Sequence, residues 1–292
     1  MNKLLVIIVT YNAEKWLDRC FASLRESTVK PDVIVIDNGS TDGTLKWIWE
    51  HTSENVRIHP SGVNLGFGAA NNIGLRHALE RGYEYVYLLN QDAWVAPDCF
   101  EKLICAFEAS KGDDHPYGIL SPVQMEADLK KRDRRFQKHC GRAIDRSNTP
   151  IVEVPFVMAA HWMISCQCLR KVGGFSPAFT HYGEDENYID RMQWHGLRSG
   201  VVRQAVAVHD RGSRIAPKPA RMRLKYVGCT VAVSDPGRPL ILTAALQPFI
   251  IAGMALKNFS AQMLRYLPQY FRDLHSLIAY RRDSRAEGAF LK

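Results

Sequence analysis

The chain has 292 residues, 46% of them hydrophobic and 23% charged. It can bury one large α/β core with an appendage, and its ordinary composition excludes a disordered or fibrous protein. The net charge of +8 is unevenly placed: residues 1–210 carry 24 Lys and Arg against 26 Asp and Glu, and residues 211–292 carry 14 against 4. No RNP-like, zinc-finger or helix-turn-helix pattern accompanies the basic end, so nucleic acid is excluded as the expected partner and an anionic membrane surface ranks first.

The chain opens on Leu4-Leu5-Val6-Ile7-Ile8-Val9. This run is too short for the core of an export signal and has no small-residue cleavage site behind it. It predicts a buried first strand in a cytoplasmic protein. Strands are expected over 4–9, 33–36, 56–58 and 85–89, and helices over 14–25, 43–51, 68–81 and 98–109. This alternation predicts a parallel sheet covered by helices, in which ligands bind beyond the carboxyl ends of the strands. Residues 126–150, with Lys130-Lys131-Arg132-Asp133-Arg134-Arg135, are polar and predict a mobile excursion or a solvated helix. Strand-like and helical segments return over 151–210, and from about 215 the pattern is helical and basic. Seven scattered cysteines, without CxxC spacing at Cys166-Gln167-Cys168, predict reduced thiols and no zinc site.

Five segments carry candidate chemistry. The strand Val33-Ile34-Val35-Ile36 delivers Asp37 to its carboxyl end, followed by Asn38-Gly39-Ser40-Thr41-Asp42-Gly43. Such an edge can hydrogen-bond a nucleotide's base and ribose, or Asp42 can simply cap the next helix. Gly66 and Gly68 open a helix whose free N–H groups suit an anion, although the same glycines serve a tight turn. Asp92 ends the strand Leu88-Leu89-Asn90 and suits Mg²⁺ or Mn²⁺ beside a diphosphate, or else caps a turn. Glu184-Asp185-Glu186 after Gly183 fits either the charge bias of a helix start or a general base facing an incoming hydroxyl. His209 ends the strand Val206-Ala207-Val208, either as a structural histidine or as a metal or diphosphate ligand.

Taken in order, these elements resemble the inverting glycosyltransferases of the GT-A fold, family 2. The matching residues are Val9-Thr10-Tyr11-Asn12, Asp37 to Gly43, Asn64-Leu65-Gly66-Phe67-Gly68-Ala69-Ala70-Asn71, Asn90-Gln91-Asp92-Ala93, Gly173-Gly174-Phe175-Ser176, Gly183 to Glu186, and His209. They span roughly residues 4–212 and look most like bacterial rhamnosyltransferase-like enzymes of O-antigen, capsule or exopolysaccharide synthesis.

The resemblance implies a GT-A catalytic domain over 1–214, with a nucleotide-sugar half at about 1–95, an acceptor half at about 96–214 and a helical C-terminal region at 215–292. It implies that Thr10, Tyr11 and Asp37 hold base and ribose, and that Asn64, Gly66, Asn71 and Gln91 line the donor side. Asp92 and His209 would hold Mn²⁺ or Mg²⁺, Asp185 would be the catalytic base, and Glu184 and Trp162 would meet the acceptor. The donor would be a nucleoside diphosphate sugar, with a rhamnose-like sugar favoured over a hexose, hexosamine or galactofuranose. The acceptor would be a glycan or lipid-linked glycan. Where many relatives carry Asp-x-Asp, this chain has Gln91-Asp92-Ala93, which puts more weight on His209. A nucleotidyltransferase would want a Gly-rich, basic loop after the first strand, where Thr10-Tyr11-Asn12 stands; a non-catalytic sugar-binding relative would not need Asp92, Asp185 and His209 together.

In the tail, residues 240–256 are apolar but short for a membrane span, and Pro248 is expected to interrupt them. Phe259, Met263, Leu264, Leu267, Tyr270, Phe271, Leu274, Leu277 and Ile278 follow at helical spacing among Lys257, Arg265, Arg272, Arg281, Arg282 and Arg285. This predicts a basic amphipathic surface for peripheral attachment at the inner face of the cell membrane, or a helical hairpin packed on the catalytic domain or against a second subunit in a homodimer.

Overall fold

The computed structural model describes residues 3–53, 55–211, 218–257 and 260–291. Its sheet comprises β1 (Leu4–Thr10), β2 (Asp32–Asp37), β3 (Val56–Pro60), β4 (Tyr85–Asn90), β5 (Ala93–Val95), β6 (Tyr117–Met125), β7 (Ile151–Val154), β8 (His161–Ser165) and β9 (Arg198–His209). The strand order is β3-β2-β1-β4-β8-β6-β9-β5, and β7 pairs β9 as well. The first four strands are parallel neighbours, and β8 joins them antiparallel to β4. The helices are α1 (Glu14–Glu26), α2 (Thr44–His51), α3 (Phe67–Arg81), α4 (Cys99–Ala109), α5 (Arg134–Phe136), α6 (Arg142–Arg146), α7 (Cys166–Val172), α8 (Glu184–Trp194), α9 (Lys218–Ser234), α10 (Leu240–Lys257), α11 (Ala261–Leu264) and α12 (Tyr266–Asp283). The expected α/β sheet with a helical C-terminal region is what the chain forms.

β1 is apolar from Leu4 to Val9 because both its faces are covered. Leu5 and Ile7 face one core with Ala70 and Leu75 of α3, and Leu4, Val6 and Ile8 face the other with Leu17, Phe21 and Leu24 of α1. The parallel registers pair Thr10 with Asp37 and Val9 with Asn90, so the strand ends that carry polar residues lie side by side at one edge.

Residues 126–150 depart from the expected mobile excursion or solvated helix. Asp133 accepts the N–H groups of Arg135 and Phe136 and starts α5, and a π turn (Gln137–Gly141) continues it into α6. Phe136, Cys140 and Ile144, four residues apart, all enter the core. Asp133 is itself buried and pairs with Arg211 at 2.9 Å, which fixes this wall to the chain just beyond β9.

Helices α9 to α12 enclose a core of their own, with Tyr226, Val233, Ile251, Met263, Tyr270 and Leu277. Buried Arg281 donates to the carbonyl oxygens of Val233 (3.1 Å), Asp235, Pro236 (3.3 Å) and Arg238, where the end of α9 leaves acceptors unpaired. The last residues return to the sheet: Gly174 N donates to the Ala289 carbonyl at 2.8 Å, and Leu291 packs with the main core. Pro248 does not interrupt α10, contrary to the sequence expectation. A proline there leaves the carbonyl four residues earlier without its helical donor, and the Tyr270 hydroxyl donates to that carbonyl, Ala244, at 2.8 Å. Phe259 and Arg214 lie outside the described residues.

Candidate active site

At the carboxyl edge of the sheet, Asp37 is 1% exposed and accepts from Thr10 Oγ1 at 2.9 Å and Ser40 N at 3.0 Å. The carboxylate therefore ties β1 to the turn after β2. Tyr11 is 47% exposed, and its backbone is clamped at both ends by one side chain: Tyr11 N donates to Gln91 Oε1 at 2.7 Å and Gln91 Nε2 donates to Tyr11 O at 3.2 Å. An exposed ring on a fixed backbone offers a face on which a planar group can stack. Asn12 holds a left-handed φ of 51° with its side chain accepting from Thr41 N at 2.8 Å, which joins the two loops.

The loop before α3 is held by Asn38, which the sequence reading left unassigned, together with Asn64. Asn38 Oδ1 accepts from Leu65 N at 2.8 Å, and Asn38 Nδ2 donates to Asn64 Oδ1 at 3.1 Å. Asn64 also accepts from Gly66 N, so it braces the loop. Gly66 has φ +82°, and a Cβ there would stand 2.3 Å from the Thr180 carbonyl oxygen; only glycine allows the two loops to touch. Asn71 is buried and donates to the Phe67 carbonyl, stiffening the first turn of α3. Its neighbour Asn72 makes the longer link, bonding both backbone groups of Phe175 at 2.7 and 2.9 Å.

Asp92 and His209 meet because β5 pairs antiparallel with the end of β9, placing Ala93 opposite His209, while Asp210 N donates to the Asp92 carbonyl at 2.8 Å. Asp92 Oδ1 faces His209 Nε2 at 3.4 Å, and both side chains are nearly buried. Behind them lies His161, whose Nε2 is 3.0 Å from the Val208 carbonyl and whose Nδ1 is 2.9 Å from the Tyr87 hydroxyl. Burial first, and His209 second, push its pKa down to about 3, so it is a neutral ring edge-on to His209.

Opposite, Tyr182 and Gly183 take φ values of 70° and 89° before α8 starts. A Cβ on Gly183 would strike Val227 of α9 at 2.5 Å. Asp185 is half-buried and accepts from Glu186 N at 2.9 Å. Burial raises its pKa, opposed by the Glu186 N–H and the Arg135 charge. Glu184 is buried, its Oε2 has no hydrogen-bond partner, and burial then Asp185 push its pKa up to about 7. Arg135, on the wall expected to be mobile, thus contributes to the field at the acids. Trp162 does not reach an acceptor surface: it is 0% exposed, stacks on Phe175 at 6.2 Å and donates from Nε1 to the Val157 carbonyl. An indole needs a partner for its N–H when buried, and here the whole ring is core.

A family model described as Glycosyl transferase family 2 matches residues 5–173. This chain belongs to that family. Among family 2 relatives, it is 32% identical over 249 residues to the dTDP-rhamnosyl transferase RfbF of Shigella flexneri, covering 81% of this chain and 76% of the relative. It is 28% identical over 248 residues to the N-acetylglucosaminyl-diphospho-decaprenol L-rhamnosyltransferase of Mycobacterium tuberculosis, covering 74% of this chain and 78% of the relative. The glycosyltransferase fold is shared with TarS 1–349 of S. aureus (TM-score 0.63, 15% identity, 97% of this chain, 83% of that one). It is also shared with a mannosyltransferase from Pyrobaculum calidifontis in complex with GDP-Man and Mn²⁺ (TM-score 0.55, 19% identity, 97% of this chain and 86% of that one).

Proposed function

We propose that this glycosyltransferase moves a rhamnose-like deoxyhexose, with inversion, from a nucleoside diphosphate sugar to a glycan or lipid-linked glycan in the synthesis of a bacterial surface polysaccharide. The observation that carries the reading is the Asp92–His209 pair, facing each other at 3.4 Å on the sheet edge that also carries Thr10, Tyr11 and Asp37. The two rhamnosyl-transferring relatives support the sugar, and the mannosyltransferase with GDP-Man and Mn²⁺ supports a nucleotide donor with a divalent ion.

The donor set fits Mn²⁺ or Mg²⁺: one hard oxygen and one imidazole converge at 3.4 Å. When bound, the ion would neutralise charge growing on the leaving diphosphate. The protein's residues do the rest. The Tyr11 ring stacks on the base, the Asp37 edge with its braced loops shapes the ribose pocket, and the N-terminus of α3 beside Gly66 offers backbone donors to phosphate. Asp185 takes the proton of the acceptor hydroxyl as it attacks the anomeric carbon from the face opposite the diphosphate. Glu184 beside it holds the acceptor. The half at about 1–95 serves the donor, 96–214 the acceptor, and 215–292 the surface where the acceptor is found. A thermal-shift panel of nucleotides and nucleotide sugars with Mn²⁺ tests this reading. Stabilisation by a nucleoside diphosphate deoxyhexose above its free nucleotide supports it, and indifference to every nucleotide refutes it.

The same reading extends to an anionic leaflet. α10 buries Thr243, Gln247, Ile251 and Ala255 and turns Ile241, Leu242, Leu246, Phe249, Ile250 and Leu256 outward, with Ile241 at 86% and Phe249 at 75% exposure. Putting threonine and glutamine inside and large apolar side chains outside inverts the pattern of a helix meant for water. The helix carries no acid, and the surrounding tail is basic. These features favour an in-plane helix on anionic lipid, close to lipid-linked acceptors.

A further inference from the structure

A cavity of about 510 Å³ opens between the 177–182 loop and helices α9 and α12, apart from the Asp92–His209 pair. It is within the size range of ligand pockets. Two of its walls are aromatic. Tyr226 and Tyr266 stack with centroids 4.5 Å apart, and Tyr280 and Tyr182 also line it. Between the rings stand Gln269, Asp273 and Ser276 of α12, with Arg223 of α9. Asp273 is fixed by the Tyr226 hydroxyl at 3.1 Å, and Arg223 is drawn to Thr180 Oγ1 at 3.3 Å.

The cavity continues the catalytic wall. Its 177–182 loop runs directly into Gly183, Glu184 and Asp185, and Val227 of its lining is the side chain that a Cβ on Gly183 would strike at 2.5 Å. Tyr182, the last lining residue of the loop, holds a left-handed φ of 70°, a strained conformation that side chains other than glycine adopt where the surroundings dictate it. A molecule with one hydroxyl at Asp185 and further length would extend along this loop.

We propose that this cavity is an acceptor subsite that binds the second and third sugars of the acceptor glycan. The inference rests on the glycan-acceptor reading above. Aromatic faces suit the C–H faces of pyranose rings, and a carboxylate, an amide and a hydroxyl between them suit ring hydroxyls. Arg223 and Asp273 together give the lining no excess of positive charge for a diphosphate or phosphate headgroup, so a neutral glycan is the ligand. The subsite also gives the C-terminal helices a part in selecting the acceptor.

The test uses the full-length protein and a panel of immobilised mono- and trisaccharides ending in N-acetylglucosamine or rhamnose. Ser276 is exposed on the cavity wall, so Ser276→Trp fills the space without opening the helical core, and Gln269→Ala removes one hydrogen-bonding group as a milder second variant. The wild type is expected to bind at least one trisaccharide at least ~10-fold more tightly than its terminal monosaccharide, and Ser276→Trp to erase that preference while Gln269→Ala reduces it. Donor binding by thermal shift stays unchanged in both variants. Equal binding of mono- and trisaccharides by the wild type, or a preference that survives Ser276→Trp, overturns the subsite. Loss of nucleotide-sugar binding by the wild type is a separate result and counts against the glycosyltransferase reading itself.

Discussion

Glu184→Gln should change how stability depends on pH. Glu184 is 8% exposed, Oε2 has no hydrogen-bond partner, and the carboxyl is held at about 7 instead of 4.5. Burial is the larger cause and the neighbouring Asp185 the second. A carboxyl whose folded pKa is raised stabilises the native state fully below its unfolded pKa and loses that contribution as pH rises through the folded value. The interval from 4.5 to about 7, at about 1.36 kcal/mol per pH unit, corresponds to roughly 3 kcal/mol as an upper figure. Glutamine keeps the shape and carries no titrating proton. Urea unfolding of both proteins at pH 5 and pH 8.5 reads the effect: the wild type should lose about 2–3 kcal/mol more than the variant between the two pH values. Parallel pH dependence within about 0.5 kcal/mol would show that ionised Glu184 is well solvated in the folded protein, and would refute the argument.

Three further outcomes follow from the geometry. Chelation should abolish transfer and Mn²⁺ or Mg²⁺ restore it, with Asp92→Ala and His209→Ala raising the metal concentration required; full activity in excess EDTA would transfer the role to cationic side chains. Arg211 would be a poor substitute, since it is already paired with Asp133. Trp162→Ala should destabilise the fold by about 3–5 kcal/mol, as for a large side chain removed from a packed core, read as a drop in the urea midpoint; a loss below about 1 kcal/mol would contradict the core assignment. The protein should float with anionic liposomes at low salt and detach as salt rises, and Phe249→Asp with Ile241→Asp should abolish flotation while leaving donor binding intact; variants that still float would detach α10 from this role.

β1, β2 and β4 were legible because each is an apolar run buried on both faces, and the boundaries of these strands and of the partly exposed β3 fall within about two residues of those read from the sequence. Asp37, Asp92 and His209 stood out because each ends such a run. β5 is three residues long, and its strand character depends on pairing with the end of β9, more than a hundred residues away. No local pattern reports that. The same limit hid Asn38, Asn72 and Arg135, whose importance lies in partners distant along the chain. Residues 126–150 misled because Phe136, Cys140 and Ile144 are sparse apolar anchors in a charged stretch. Pro248 suggested a break in α10 that the Tyr270 hydroxyl, 22 residues on, makes unnecessary. Trp162 was placed in an acceptor pocket on the family pattern, and its burial between Phe175 and Tyr188 makes it part of the core.

The most direct test of the account is transfer by Asp185→Asn. The side chain is half-buried at the start of α8, and asparagine keeps its size and its bond from the Glu186 N–H. The variant should melt like the wild type, bind the nucleotide sugar with unchanged affinity, and lose transfer by about two to four orders of magnitude, the range for loss of a general base. A folded, donor-binding Asp185→Asn protein that keeps more than about a tenth of wild-type turnover would contradict the assignment of Asp185 as the base.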